Sequence, residues 1–307
     1  MSDLPSEEEL HFGSSCLSKV LVVRHTSLSG AGGVLAGCAG GSGDATGLML
    51  WPGARALCRA LASYPSLQNA VCIELGAGCG VCSAVAGLFL SPRLVITTDG
   101  DERALTLARA TWRANPRATA PFQTHVFRWG ADYVEAARAL LRTAGPPSQS
   151  GGPTAASGIL VLASECIYPS STPDSIRHFF GACAELLRGP CLAAGTLLLS
   201  YVPRSPATSL ALLAATHAAG LRCLLWRGGE GDASAAALGC AESLGSECGA
   251  VVLVCTLDGL APHLQQSLEE KVAAVFPDAA AAVEREKQAK LEAEAELASG
   301  AWGAPPL

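Results

Sequence analysis

The sequence predicts an α/β fold: a doubly wound, seven-stranded, mostly parallel sheet with one antiparallel strand. Three observations predict it. Short apolar runs alternate with segments of helical periodicity along most of the 307-residue chain, the pattern of strand–helix–strand units. The runs are apolar at successive positions rather than at every second one, as strands are when helices cover both faces of a sheet. The last two runs, "LRCLLWR" (221–227) and "GAVVLVCTL" (249–257), have no helical pattern between them, so one of them is expected to run antiparallel.

The elements follow in order. "LWPGARALCRALASY" (50–64) reads as a helix opening at Pro52, since proline suits the first helical turn. "AVCIEL" (70–75) is a short buried strand, and "CGVCSAVAGLFL" (79–90) is a helix stopped by Ser91-Pro92. "RLVITT" (93–98) is the second strand. "DERALTLARATWRAN" (101–115) is amphipathic, with Leu105, Ala108 and Trp112 on one face. "FQTHVFRW" (122–129) is the third strand and "DYVEAARALLRT" (132–143) the next helix. "ILVLAS" (159–164) is the fourth strand, followed by a helix over 173–188. "CLAAGTLLLSYV" (191–202) contains the fifth strand, and a helix over 205–220 is closed by Gly220.

Outside this frame, residues 1–16 are polar and acidic and are expected to be disordered. "KVLVVRHTSL" (19–28) reads as a short extra strand, and 30–47 as a glycine-rich mobile loop. The Pro/Gly/Ser segment 144–158 reads as a loose surface loop. The alanine-rich, charged tail 277–299 reads as a solvated helix. The expected organisation is an N-terminal extension (1–45), one catalytic-size domain (46–260) and a charged helical tail (261–307).

Composition narrows the function classes. Half the residues are hydrophobic, enough for a sizeable core, and 21 basic against 27 acidic residues leave a net charge of −6. A nucleic-acid partner is not expected from that balance, because such proteins carry a basic face. No apolar run reaches the ~20 residues of a membrane helix, so no membrane partner is expected. The 13 cysteines are odd in number and scattered through apolar runs. They are expected to be free packing residues of a protein in a reducing compartment, the cytoplasm or the nucleus. Cys79 and Cys82 form one C-x-x-C with no second pair at zinc spacing, and the six histidines are dispersed. No metal site is expected. Oligomeric state is left open.

The chemistry concentrates in "VCIELGAGCGVCSAVAGLF" (71–89). In open α/β sheets, ligands bind beyond the carboxyl ends of the strands. Gly76, Ala77, Gly78 and Gly80 stand there, where glycines let a backbone approach a ligand closely. The spacing is G-x-G-x-G, and Val81 occupies the place of the third glycine of a dinucleotide fingerprint. Glu74 beside the turn would repel a pyrophosphate and favour a ligand with a positive charge, such as an amino group or a sulfonium. Asp99 ends the second strand, well placed to accept two hydrogen bonds from a ribose diol, whereas Asp101 suits a helix cap. These features together fit S-adenosylmethionine.

"GLMLWPGARALCRAL", "IELGAGCG", "VITTDGDERAL", "FRWGAD" and "ASECIYPSS" resemble, in this order, the motifs of seven-strand protein-lysine methyltransferases of the methyltransferase-16 group, a Rossmann-like family. "LWPGA" and "TTDGDE" look most like the calmodulin-lysine branch. The resemblance covers residues 46–258. It implies that Trp51 touches the cofactor, that Gly76, Ala77 and Gly78 form its methionine-binding loop, and that Asp99 is the ribose ligand. It also implies that Trp129 lies near adenine and that Ser164 is the small residue at the end of strand four. Glu165-Cys166-Ile167-Tyr168 resembles the acidic-x-x-aromatic signature of the methyl-transfer site, with Glu where many members have Asp. On that resemblance Glu165 and Tyr168 are the catalytic candidates, a protein bearing a target lysine is the substrate, and Glu165 orients the amine while Tyr168 walls its channel. Two alternatives stay open: methyl transfer to a small molecule or another side chain, and a binding protein that keeps the fold without activity.

Overall fold

The computed structural model describes residues 5–11, 19–25, 46–64, 67, 70–145, 158–189, 195–225 and 250–257. The glycine-rich stretch before residue 46, most of the 144–158 loop and the charged tail lie outside the described residues.

The strands are β1 (Pro5–His11), β2 (Lys19–His25), β3 (Val71–Leu75), β4 (Leu94–Asp99), β5 (Phe122–Val126), β6 (Ile159–Ser164), β7 (Thr196–Tyr201), β8 (Arg222–Leu225) and β9 (Val251–Thr256). The helices are α1 (Pro52–Ala62), α2 (Val81–Phe89), α3 (Glu102–Ala114), α4 (Tyr133–Ala144), α5 (Pro173–Leu187) and α6 (Pro206–Ala218). Among the described residues, a 3-10 turn covers Thr46–Leu48.

The main sheet has seven strands in the order β5-β4-β3-β6-β7-β9-β8. β3 pairs in parallel with β4 on one side and β6 on the other. β9 runs antiparallel to both β7 and β8, as the sequence predicts for one of the last two strands. The chain leaves β3 through β4 to β5 and then returns to β6 on the opposite side. That reversal opens a crevice at the carboxyl ends of β3, β4 and β6.

Two apolar layers sandwich the sheet. Val71, Ile73, Leu75 and Val161 face one layer with Leu140 of α4 and Phe179 and Phe180 of α5. Cys72, Leu160 and Leu162 face the other, with Leu57 and Leu61 of α1 and Val85 of α2. The period-2 alternation of a strand assigns each residue its layer; with helices on both sides, neither set of positions can be polar without a partner. β5, at the sheet edge, stops at Val126, short of the expected 129. Its partner β4 ends at Asp99, and the last contact is Phe127 N to Asp99 O at 3.0 Å.

The N-terminus departs from expectation. Part of the expected disordered stretch is β1, which pairs antiparallel with β2 from Pro5↔His25 to His11↔Lys19. The free edge of β2 is satisfied by side chains of α3. Leu21 N donates to Asn115 Oδ1 at 3.0 Å, and Asn115 Nδ2 donates back to Leu21 O at 2.7 Å. Val23 N donates to Thr111 Oγ1 at 3.0 Å. Leu10, Val20 and Val22 add to the core, and Glu8 bridges Arg24 of β2 and Arg55 of α1. The polar strand β1 is ordered because β2 takes its backbone and Arg24 and Arg55 take the charge of Glu8.

The cysteines depart too. Cys223 and Cys255, directly paired in register across β8 and β9, are joined as a disulfide, against the expectation of free thiols throughout. Cys58, Cys72, Cys79, Cys82, Cys166 and Cys183 are free and buried.

Candidate active site

The glycine turn after β3 is held by β4. Ala77 N donates to Thr98 O at 2.9 Å, and Thr98 Oγ1 donates to Glu74 O at 2.7 Å. Gly76 and Gly78 both have left-handed backbones, with φ of 60° and 52°. A Cβ on Gly76 would lie 2.7 Å from Cys166 Sγ and 3.1 Å from the Trp129 ring, and one on Gly78 would lie 3.0 Å from Gly47 O. Glycine is required here for backbone angle and for close approach together. Gly80 serves a different contact. Its Cβ would meet Ala108 of α3 at 2.6 Å, so it sets the packing of two helices rather than facing the crevice.

Asp99 closes the turn from the neighbouring strand. Its Oδ2 accepts from Gly78 N and its Oδ1 from Asp101 N, each at 2.9 Å. Burial is the main cause that pushes its carboxyl above the ordinary aspartate range, against the pull of those amides. The Gly100 amide also bonds this carboxylate, whose two oxygens offer about four acceptor positions in all. Asp101 instead caps α3 by accepting from Arg103 N, the division of roles the sequence predicts.

Glu74, expected beside a cationic ligand, is bonded to protein groups. It points to the same side of β3 as Cys72 and is 2 % exposed. Its Oε2 accepts from Ser83 N at 2.8 Å and lies 2.5 Å from Ser83 Oγ. The N-cap of α2 is Gly80, which has no side chain to offer. Glu74 therefore supplies the missing cap from the sheet beneath, where a carboxylate complements the helix N-terminus. Burial raises its carboxyl to about 7. The Ser83 amide of α2 is thus already taken, which leaves a weaker anion site than a dinucleotide turn has.

Glu165 has the same kind of job. It follows β6 with φ of 50°, a left-handed conformation that costs a non-glycine residue about 1–2 kcal/mol. Its side chain is 3 % exposed. Oε1 is 2.5 Å from Arg204 Nη2, and Oε2 accepts from Gly53 N at 3.1 Å. Gly53 lies in the first turn of α1, whose N-cap Trp51 gives no side-chain cap. The free carboxylate expected to orient an amine is bound to protein at both oxygens. Arg204 and Gly53 were not singled out from the sequence. A signal existed: a carboxylate ending a buried strand needs a cation, and "YVPRSP" puts Arg204 just past the next strand.

Trp51 Nε1 donates to Thr46 O at 2.8 Å, and Arg204 Cζ stands 5.4 Å from the centre of its ring. Trp129 is half-buried, packs edge-on against Phe179 at 5.3 Å, and reaches Gly76. Ser164 Oγ is buried with no hydrogen-bond partner among the described residues. A buried hydroxyl without a partner is costly, and this one sits at the carboxyl end of β6 beside the glycine turn. Tyr168 is half-buried, in a turn where Ser171 N donates to its carbonyl at 2.8 Å. Ala77 is buried at the turn. Among the described residues no cluster of His, Cys, Asp and Glu could hold a metal ion, and no helix is long and apolar enough to cross a membrane.

Comparison with known proteins follows this geometry. No protein in the curated comparison matches the chain. Solved structures of similar shape include a Streptococcus mutans protein described as a SAM-dependent methyltransferase, at 15% identity and TM-score 0.48, with 83% of this chain and 56% of that one covered. M. jannaschii TYW2 in complex with AdoMet is 11% identical, with TM-score 0.37 and coverage of 82% and 85%. Precorrin-6y C5,15-methyltransferase of Geobacter metallireducens is 10% identical, with TM-score 0.37 and coverage of 67% and 86%. The chain thus spans little more than half the length of the Streptococcus mutans structures. A family model described as lysine methyltransferase matches residues 40–140. That segment contains Trp51, the glycine turn, Asp99 and Trp129, and ends before Ser164, Glu165 and Tyr168. Over residues 40–140, about a third of the chain, the sequence is thus similar to that family model.

Proposed function

We propose that this chain is an S-adenosylmethionine-dependent methyltransferase that modifies a lysine side chain of a protein. The observation that carries the reading is Asp99 Oδ2 bonded to Gly78 N at 2.9 Å. It joins a carboxylate with spare acceptor capacity to a left-handed glycine turn at the sheet's reversal point. A vicinal diol bonded by Asp99 would lie against the glycine backbone of the turn. The buried, unpartnered Ser164 Oγ is a further polar group for a ligand to satisfy.

Gly76, Ala77 and Gly78 would hold the amino-acid portion, Asp99 the ribose and Trp129 the base, with Trp51 covering from α1. S-adenosylmethionine, when bound, supplies a methyl group already activated on a sulfonium. The chain's own residues then align and exclude water. A lysine must reach the site neutral, and a positive charge nearby lowers its pKa. Glu165 does not oppose that loss of a proton, because Arg204 neutralises it. Tyr168, half-buried beyond β6, would wall the acceptor side.

The lysine acceptor is supported by the family match over residues 40–140 and by the resemblance of residues 165–168 to the acceptor signature. The test is methyl transfer from labelled S-adenosylmethionine into cell extract, with the labelled residue mapped by mass spectrometry. Label on lysine of a protein is expected. Label on small molecules or RNA alone would overturn the lysine reading while leaving the donor in place.

A further inference from the structure

Arg204 makes two contacts that converge on one segment. Its guanidinium pairs with Glu165 at 2.5 Å, and Glu165 in turn holds Gly53 N at 3.1 Å. The same guanidinium lies 5.4 Å from the centre of the Trp51 ring. Residues 51 and 53 are the N-cap and first turn of α1. Both ends of the ion pair therefore grip the start of that helix.

The fit around the pair is close. A Cβ on Gly53 would stand 2.5 Å from Glu165 Cγ and 2.9 Å from Ser200 Oγ. Glu165 is buried while the Arg204 side chain is 33% exposed, so Arg204 is the outer member that shields the carboxylate. Removing one partner of such a pair leaves a buried charge uncompensated.

Trp51 carries the connection onward. Its Nε1 donates to Thr46 O at 2.8 Å, which ties it to the Thr46–Leu48 turn. That turn lies on the glycine loop. A Cβ on Gly47 would be 3.7 Å from Asp99 Oδ2, and a Cβ on Gly78 would be 3.0 Å from Gly47 O. Gly78 N is bonded to Asp99 Oδ2. Packed contacts and hydrogen bonds thus run without a break from Arg204 to the carboxylate assigned to the ribose.

We propose that Arg204 is a positioning residue for the donor site: through Glu165 and Trp51 it fixes the start of α1 and the 46–48 turn against the glycine loop. Glu165 then acts by holding Arg204 and α1, not by contacting the amine. This rests on the methyltransferase reading for the ligand, but the clamp itself is a property of the free protein.

The experiment uses the full chain as wild type, Arg204→Met and Arg204→Lys. Hydrogen exchange without ligand is read first. Exchange over residues 46–54 is expected to rise about two- to thirtyfold in Arg204→Met, the range of energetic coupling through packed networks, with α5 unchanged. Arg204→Lys, which keeps the charge but loses the planar fork, is expected to fall between. Binding of S-adenosylhomocysteine by calorimetry is read second. Affinity is expected to drop by a similar factor in Arg204→Met, and the loss is expected to be non-additive with Trp51→Ala. If Arg204→Met fails to fold, the same readings on Arg204→Lys decide. Unchanged exchange over 46–54, or losses that simply add, overturn the clamp. Wild type that binds no S-adenosylhomocysteine overturns the methyltransferase reading instead, and the exchange result still decides the clamp.

Discussion

Glu74 accepts the amide of Ser83 at 2.8 Å and lies 2.5 Å from its hydroxyl, so the acidic residue of the glycine motif is a helix cap. Glu165 repeats the device on Gly53 of α1. The two acidic residues nearest the motifs each supply a cap that the helix's own N-cap residue lacks. They fix where α1 and α2 begin, and hence the rim of the crevice.

The burial of Glu74 makes stability depend on pH. Its carboxyl is raised by burial from 4.5 to about 7, so the fold prefers the neutral form. A raised folded pKa means that the group's contribution is full below the unfolded pKa and is lost as pH rises through the folded one. Glu74→Gln, neutral throughout, is expected to gain stability relative to wild type between pH 4.5 and about 7, and to hold that gain above. Asp99, also raised by burial, and Glu8, lowered by Arg24 and Arg55 against its own desolvation, remain in both proteins and cancel to first order. Urea unfolding at several pH values measures this, and parallel pH curves for the two proteins would contradict it.

Gly80 and Gly76 separate packing from binding. Gly80→Ala places a Cβ 2.6 Å from that of Ala108 at φ of 71°. The expected cost is about 2–4 kcal/mol of stability, from left-handed strain and overpacking, with ligand affinity of the folded fraction little changed. Gly76→Ala crowds Cys166 and Trp129 inside the crevice and is expected to weaken S-adenosylmethionine binding about tenfold or more. Denaturant titration beside calorimetry distinguishes the two.

Ser164 should behave as a ligand group does. Its hydroxyl is buried without a partner among the described residues, so Ser164→Ala removes an unsatisfied group. The free protein is expected to keep or slightly gain stability. Ligand affinity is expected to fall by about 1 kcal/mol, the net worth of one hydrogen bond. A loss of stability with unchanged affinity would place the hydroxyl outside the site.

Tyr168→Phe keeps the ring and removes the hydroxyl. Turnover is expected to fall about tenfold or more with donor affinity unchanged, the signature of a group that acts only in the reaction step. Steady-state kinetics with the unmethylated protein acceptor found by the labelling experiment checks it, and equal kcat would remove the hydroxyl from the acceptor side.

The main sheet was legible because its strands are buried on both faces, so "VCIEL" and "ILVLAS" show no polar interruption except at their carboxyl ends. Asp99 was legible because strand end and helix cap fall on different residues, 99 and 101. The hairpin was not, because "PSEEELH" pairs with β2, and β2 is itself anchored by Asn115 and Thr111, 94 and 88 residues from Leu21 and Val23 in sequence. The direction of Glu74 depends on the pleat: spacing placed it beside the turn, but alternation sends it to α2. Arg204 was hidden for the same reason as the Cys223–Cys255 pair. Each contact spans a long sequence separation, 39 and 32 residues, and only the order of strands brings the partners together.

Calorimetric titration of S-adenosylmethionine into wild type and Asp99→Ala tests the central assignment most directly. Saturable binding to wild type, weakened about tenfold or more in Asp99→Ala by the loss of charge-assisted hydrogen bonds, is the expected result. Equal affinity in the two proteins, or no binding to wild type, would contradict it.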